Sequence, residues 1–235
     1  MIADLPFWIH ALFFFAVFYS LSFFYLANKG VNRTIVVILI WTIIHSSLAY
    51  TGFYQDTKSI PPRFALVLFP ATLAILIGNF PKQLNKVIPR RNRVFSTLLH
   101  TVRIPVELVL FGLYQESFIP LLMTFEGRNF DIVMGLSAPI MAFLIYKQKI
   151  GLKLQLAWNL LGFFLVNFIL INGIFSAEMP FQLFAFDQPN RAISYFPFIL
   201  LPAIIVPLVV YTHVSDIRII IKEIKANQKL ENLVL

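Results

Sequence analysis

Seven long apolar runs fill most of this chain, and a polypeptide patterned that way can satisfy its outer surface only in hydrocarbon. A hydrocarbon core of about 30 Å takes roughly 20 helical residues. Runs of that order occupy 7–27, 34–54, 64–80, 95–123, 131–147, 154–177 and 192–214 of the 235 residues. Backbone groups in lipid have no water to bond, so each run reads as a helix that satisfies its own N–H and C=O groups. Only 13% of the residues are charged while 59% are hydrophobic, and a soluble surface usually needs about a quarter charged. The expected fold is all-α: one domain over 1–235, a bundle of seven transmembrane helices, with 215–235 as a cytoplasmic helical tail.

The first run begins at Phe7 without a basic segment before it or a clean small-residue cleavage site after it, so it reads as a retained helix. The absence of cysteine excludes disulfides, thiolate chemistry and Cys-ligated metals. The net charge of +8 comes from Lys and Arg in short connections between apolar runs, which reads as membrane topology and argues against nucleic acid as a partner.

Those basic residues orient the bundle. Of the 19 Lys and Arg, 14 fall in one set of connections, around Lys29 and Arg33, Lys82 to Arg93, Lys147 to Lys153, and Arg218 to Lys229. Four fall in the opposite set: Lys58, Arg63, Arg128 and Arg191. The positive-inside rule then places the amino terminus outside and the carboxyl terminus inside. A faint likeness joins IPPRFALVLFP (60–70) to QPNRAISYFP (188–197). It raises an arrangement of three helices, one odd helix and three more as a parallel repeat.

The last of the 19, Arg103, lies inside the fourth run, LLHTVRIPVELVLFGLYQESF (98–118). At about 100° per residue, His100, Arg103, Glu107 and Tyr114 fall near one helical face. Arg103 and Glu107 are spaced i, i+4, where cation and carboxylate can pair along a helix. Pro105 lacks an N–H and frees the carbonyl of Thr101. Glu116 sits about half a turn round and roughly 13 Å further along. Ionisable groups at such depth either lock helices together or line a functional cavity, and both readings are open for this helix.

Two segments between runs are also unusual. TFEGRNFD (124–131) gathers Glu126, Arg128, Asn129 and Asp131, and FAFDQPN (184–190) carries Asp187 and Asn190 among aromatic residues. Asp131 and Asn190 are expected to cap the starts of the fifth and seventh helices, or with their neighbours to shape an outer polar mouth. Asn172 and His45 stand out in the outer half, while Asn159 and other polar residues of these runs read as packing. The histidines form two pairs by depth, His10 with His45 and His100 with His213. Bis-His haem ligation is conceivable for either, but no cofactor is expected. No metal site is expected, since no pairing such as HExxH occurs. Pro197, Pro202 and Pro207 should kink the seventh helix, which has no Lys before Lys222 to form a retinal Schiff base.

The segments HTVRIPVELVL, LMTFEGRNFD and FAFDQPNRAISYFPF resemble an uncharacterised family of bacterial seven-helix inner-membrane proteins, over most of the chain from TGFYQDTKSIPPRF onward. The resemblance implies that architecture and an inner-membrane setting, and no catalytic residues.

Binding, and with it transport or sensing, of a small polar or amphipathic molecule is the leading expectation, at a site of Arg103, Glu107, Glu116, His100, Tyr114, Glu126, Arg128, Asn129, Asp131, Asp187 and Asn172. The first alternative is a membrane-embedded enzyme acting on a lipid or isoprenoid, with Glu116 and His45 or His10 as acid and base. The second is a structural subunit of a membrane complex, in which every buried charge is paired locally. Membrane lipid and the unknown ligand are the expected partners, and self-association is open.

Overall fold

In the computed structural model, which describes residue 2, residues 4–29 and residues 32–234, the described chain is helical and has no β-strand. Its helices are α1 (Phe7–Ala27), α2 (Asn32–Tyr50), α3 (Ala65–Gly78), α4 (Pro81–Val87), α5 (Arg93–Leu99), α6 (Arg103–Gln115), α7 (Ile132–Tyr146), α8 (Leu152–Phe175) and α9 (Val206–Val234). Five stretches are long and apolar enough to cross a membrane: α1, α2, Arg93–Gln115, α8 and Leu201–Leu233. Counting the bent pair α3–α4 as one span makes six, and α7 is a shorter apolar helix of 15 residues.

The charged fourth run is the hub. Asn92 caps α5, its side chain accepting from the amides of Val94 and Phe95 at 3.0 and 3.3 Å. A 3-10 turn over His100–Val102 then joins α5 to α6, directly ahead of Pro105, whose missing N–H cannot sustain the α-helical ladder. This stretch is 61% buried, against 11% for α2, which marks it as central and α2 as peripheral. It packs on α1 and α7, while α8 lies along α9. At Gly112 a Cβ would come within 2.6 Å of the Trp8 ring, so glycine lets α1 and α6 approach closely.

Several boundaries differ from expectation. The fourth helix ends at Gln115 rather than near 123, because Ser117 adopts φ 64° and the Phe118 amide donates back to Leu113 O at 2.9 Å. That is a Schellman closure made without glycine. The third helix bends by 71° into Pro81–Arg90, so most of the expected 81–94 connection is helical. The seventh run starts as a 3-10 turn, Ala192–Ser194, passes an extended Tyr195 and a cis Phe196–Pro197 bond, and enters a π turn over Leu201–Ile205. Proline at 207 leaves Ala203 O without its usual donor, and Trp41 Nε1 of α2 supplies one at 3.2 Å. The last helix runs unbroken past 214 and is packed inside through Ile220, so 215–220 belong to the bundle.

The two repeat-like segments fold differently. Pro70 lies inside α3, whereas Pro197 precedes its helix.

Candidate functional site

Arg103 and Glu107 share one helix but take different partners. Arg103 reaches across to the start of α7 and to α8 and α9: Nη1 lies 3.0 Å from Asp131 Oδ1, and Nη2 donates to His213 Nε2 at 2.9 Å and to Gly162 O at 3.3 Å. The contact with Asp131 is an ion pair by distance, without hydrogen-bond alignment. Glu107 Oε1 instead accepts from Asn129 Nδ2. The expected Arg103–Glu107 pair is thus replaced by Arg103–Asp131, because the 116–131 segment folds back over α6. Within it Asn129 also donates to Met123 O at 3.1 Å and accepts from the Asp131 amide at 3.1 Å. Asp131 sits at the cap position of α7 but makes no side-chain cap bond; its carboxylate is committed to Arg103.

The arginine fixes the state of His213. A guanidinium can only donate, so Nε2 accepts and Nδ1 donates to Asn159 Oδ1 at 2.9 Å. Asn159 in turn donates to Gln155 O at 2.9 Å, which settles its amide orientation. Glycine at 162 makes room for this, since a Cβ there would lie 2.5 Å from the His213 ring. His100 stacks on His213 with centroids 3.8 Å apart and planes at 16°, and meets Trp158 edge-on at 5.4 Å. Stacked so, the two imidazoles contact each other rather than flank a gap. Neither His100 nitrogen has a hydrogen-bond partner among the described residues.

Beside this cluster lies a cavity of about 70 Å³, lined by Glu107, Asn129, Asp131 and Asn190 among apolar side chains. Of the oxygens on these four residues, Glu107 Oε2 and Asn190 Oδ1 have no donor among the described residues, and Asp131 Oδ1 has only the unaligned contact with Arg103. Asn190 does not cap a helix as expected. Its amide nitrogens staple to α8, Nδ2 to Gly173 O at 3.1 Å and the backbone N–H to Ser176 O at 2.7 Å, leaving Oδ1 as an acceptor.

The remaining candidates stand apart. Glu116 is exposed at the end of α6, and Glu126, Arg128 and Asp187 are exposed. Half-buried Tyr114 offers its carbonyl to Gln188 Nε2 at 3.0 Å. Asn172 is buried but turns its amide to Phe168 O of its own helix. His10 packs on Phe198. His45 meets the hydroxyl of Tyr54 at 2.5 Å, and burial pushes that hydroxyl up to about 12. Glu116, His45 and His10 therefore have separate surroundings. Among the described residues no three His, Asp or Glu side chains converge as a metal site.

Sequence reasoning missed Asn159 and Asn190 as members, having assigned them to packing and capping. It also counted Arg91 as a connection residue. The side chain of Arg91 is buried and bonds Asp216 Oδ1 at 2.8 Å, Asn28 Oδ1 at 2.6 Å and Thr212 O at 3.2 Å, while Ser96 Oγ donates to Asp216 Oδ2 at 2.8 Å.

The chain belongs to the family described as Domain of unknown function (DUF8737), whose model matches residues 60–221. The match includes every member of the Arg103 cluster and excludes α1 and α2. No curated protein and no solved structure matches the chain.

Proposed function

We propose that this family member is a multi-pass protein of seven helices in a bacterial inner membrane, amino terminus outside, that binds and passes a small cationic solute at the Glu107 cavity. The seven are α1, α2, the bent α3–α4, the α5–α6 hub, α7, α8 and the Leu201–Leu233 helix. The distribution of Lys and Arg supports the orientation.

The chemistry of the unpartnered atoms carries the reading of the ligand. Glu107 Oε2 and Asn190 Oδ1 are acceptors, so the complementary ligand is a donor. Glu107 and Asp131 against the single Arg103 favour a positive one. Organic ligands usually occupy about 300–1,000 Å³, so a cavity of about 70 Å³ suits only a few heavy atoms. Ammonium or a small primary ammonium ion meets all three conditions. The enzyme alternative draws no support from the separate placement of Glu116, His45 and His10. The structural-subunit alternative requires locally paired charges, and Glu107 Oε2 is not so paired.

Thermal unfolding of the purified protein at matched ionic strength tests the proposal. Ammonium and methylammonium should raise the midpoint, tetramethylammonium, which has no N–H, should not, and Glu107→Gln should abolish the response. An equal response to tetramethylammonium, or none to any of the three, overturns it.

A further inference from the structure

A second, much larger recess lies on the opposite side of the last helix. It measures about 870 Å³ and runs between α2, the α3–α4 bend and the π turn and start of α9. Its two ends differ in chemistry. One carries Lys29, Arg33, Lys86 and Arg90, and among the described residues no Asp or Glu lines the recess. Two carboxylates on the last helix already have cations of their own: Asp216 holds Arg91 at 2.8 Å and Glu223 holds Arg93 at 2.7 Å. Among the described residues none of the four lining cations makes an ion pair within 4.0 Å. Arg33 lies in the first turn of α2, the end at which the helix dipole also favours an anion.

Away from the basic end the walls turn apolar, with Val37, Trp41, Ala74 and Pro207. Val37 and Ile77 are 64% and 55% exposed, so the trough continues onto the apolar outer faces of α2 and α3. Basic pockets between membrane helices suit lipid headgroups, and clustered Lys and Arg attract anionic ones. A soluble anion would use the cations and leave the trough unmatched; a zwitterionic lipid would use the trough and leave the cations unmatched.

We propose that this recess is a binding site for one anionic phospholipid, its phosphate among Lys29, Arg33, Lys86 and Arg90 and an acyl chain along Trp41 and Ala74. The proposal rests on the membrane placement and is independent of the Glu107 site.

Native mass spectrometry of the full chain, released from detergent after incubation with equal phosphatidylglycerol and phosphatidylcholine, reads it directly. One phosphatidylglycerol should be retained in preference to phosphatidylcholine. Arg33→Gln with Lys86→Gln should lower its retention about thirtyfold, from the usual contribution of each cation near an anionic headgroup. Ala74→Trp, which blocks the trough and leaves the charges intact, should lower it as well. Lys147→Gln with Lys149→Gln, basic residues outside the recess, should leave it unchanged. Equal retention of the two lipids would overturn the proposal while leaving the membrane placement standing. Retention insensitive to both recess variants, an equal loss in the Lys147/Lys149 control, or full displacement by millimolar inorganic phosphate would each overturn it too.

Discussion

Arg91 and Arg103 both bury their side chains beside the last helix, and they differ in how completely their surroundings answer them. Arg91 has an aligned partner for each of its three nitrogens, and Asp216, its counter-ion, is bonded again by Ser96. Around Arg103 the accounting does not close: its Nε, one oxygen of Glu107 and both nitrogens of His100 lack hydrogen-bond partners among the described residues. A buried charge alone therefore says little about function, since a fully satisfied network is an ordinary structural device. Unused hydrogen-bonding capacity beside a cavity is the more telling signal, because each such atom costs free energy unless something else meets it.

If the Arg91 network is a structural lock, breaking it should have the largest effect on stability. Arg91→Ala strands Asp216 without its cation, and removal of one partner of a buried pair typically costs about 3–5 kcal/mol. Thermal or denaturant unfolding in detergent should show a loss of that order, with the ammonium response of the remaining folded protein intact. A loss below about 1 kcal/mol would place Arg91 with exposed pairs and end the contrast.

The next test probes the packing that builds the Arg103 side. In Gly162→Ala the new methyl would meet the His213 ring, which cannot retreat without leaving Arg103 or Asn159. Overpacking of this kind costs about 1–3 kcal/mol. The variant should lose that much stability and part of its ammonium response, since Arg103 and Asp131 shift with the ring. Full stability with a full response would show that the His213 contact is not what holds the cluster.

How much of this was legible beforehand follows from the range of each interaction. The all-helical class was readable because run length and backbone satisfaction are local. Helix ends failed where the left-handed position fell to Ser117 rather than glycine, leaving no letter to mark the stop. The Arg103–Glu107 pair was a sound local expectation. It lost to Asp131 and Asn129, which become neighbours only when the 116–131 segment folds back. Arg91 looked like a solvated connection residue because its partners, Asn28, Thr212 and Asp216, lie far away along the chain. His100, Arg103, Glu107, Asn129 and Asp131 were nominated and do meet; Glu116, Glu126, Arg128 and Asp187 were nominated on the same grounds of charge and stayed exposed.

Glu107→Gln separates stability from binding. The amide can still accept from Asn129 at its oxygen, and its NH₂ replaces an oxygen that already had no hydrogen-bond partner among the described residues. Unfolding stability should therefore stay within about 1 kcal/mol of the wild type, while the ammonium response disappears. A large loss of stability would mean that the carboxylate is needed for folding and would move Glu107 to the Arg91 side of the comparison.

The smallest effect is expected at His100, and its sign is informative. The ring contributes stacking on His213 and an edge contact with Trp158, both of which a phenyl ring can reproduce. Its two nitrogens have no partner among the described residues, and a buried polar atom left unpaired costs about 1–3 kcal/mol. His100→Phe removes that penalty at a small cost in added volume, so stability should be unchanged or slightly raised. If the variant instead loses more than about 2 kcal/mol, the nitrogens are engaged in the working protein. The polar path then extends from the Glu107 cavity through His213 to His100, toward the end of the bundle where Arg91 is locked. The ammonium response of His100→Phe should then be lost together with its stability.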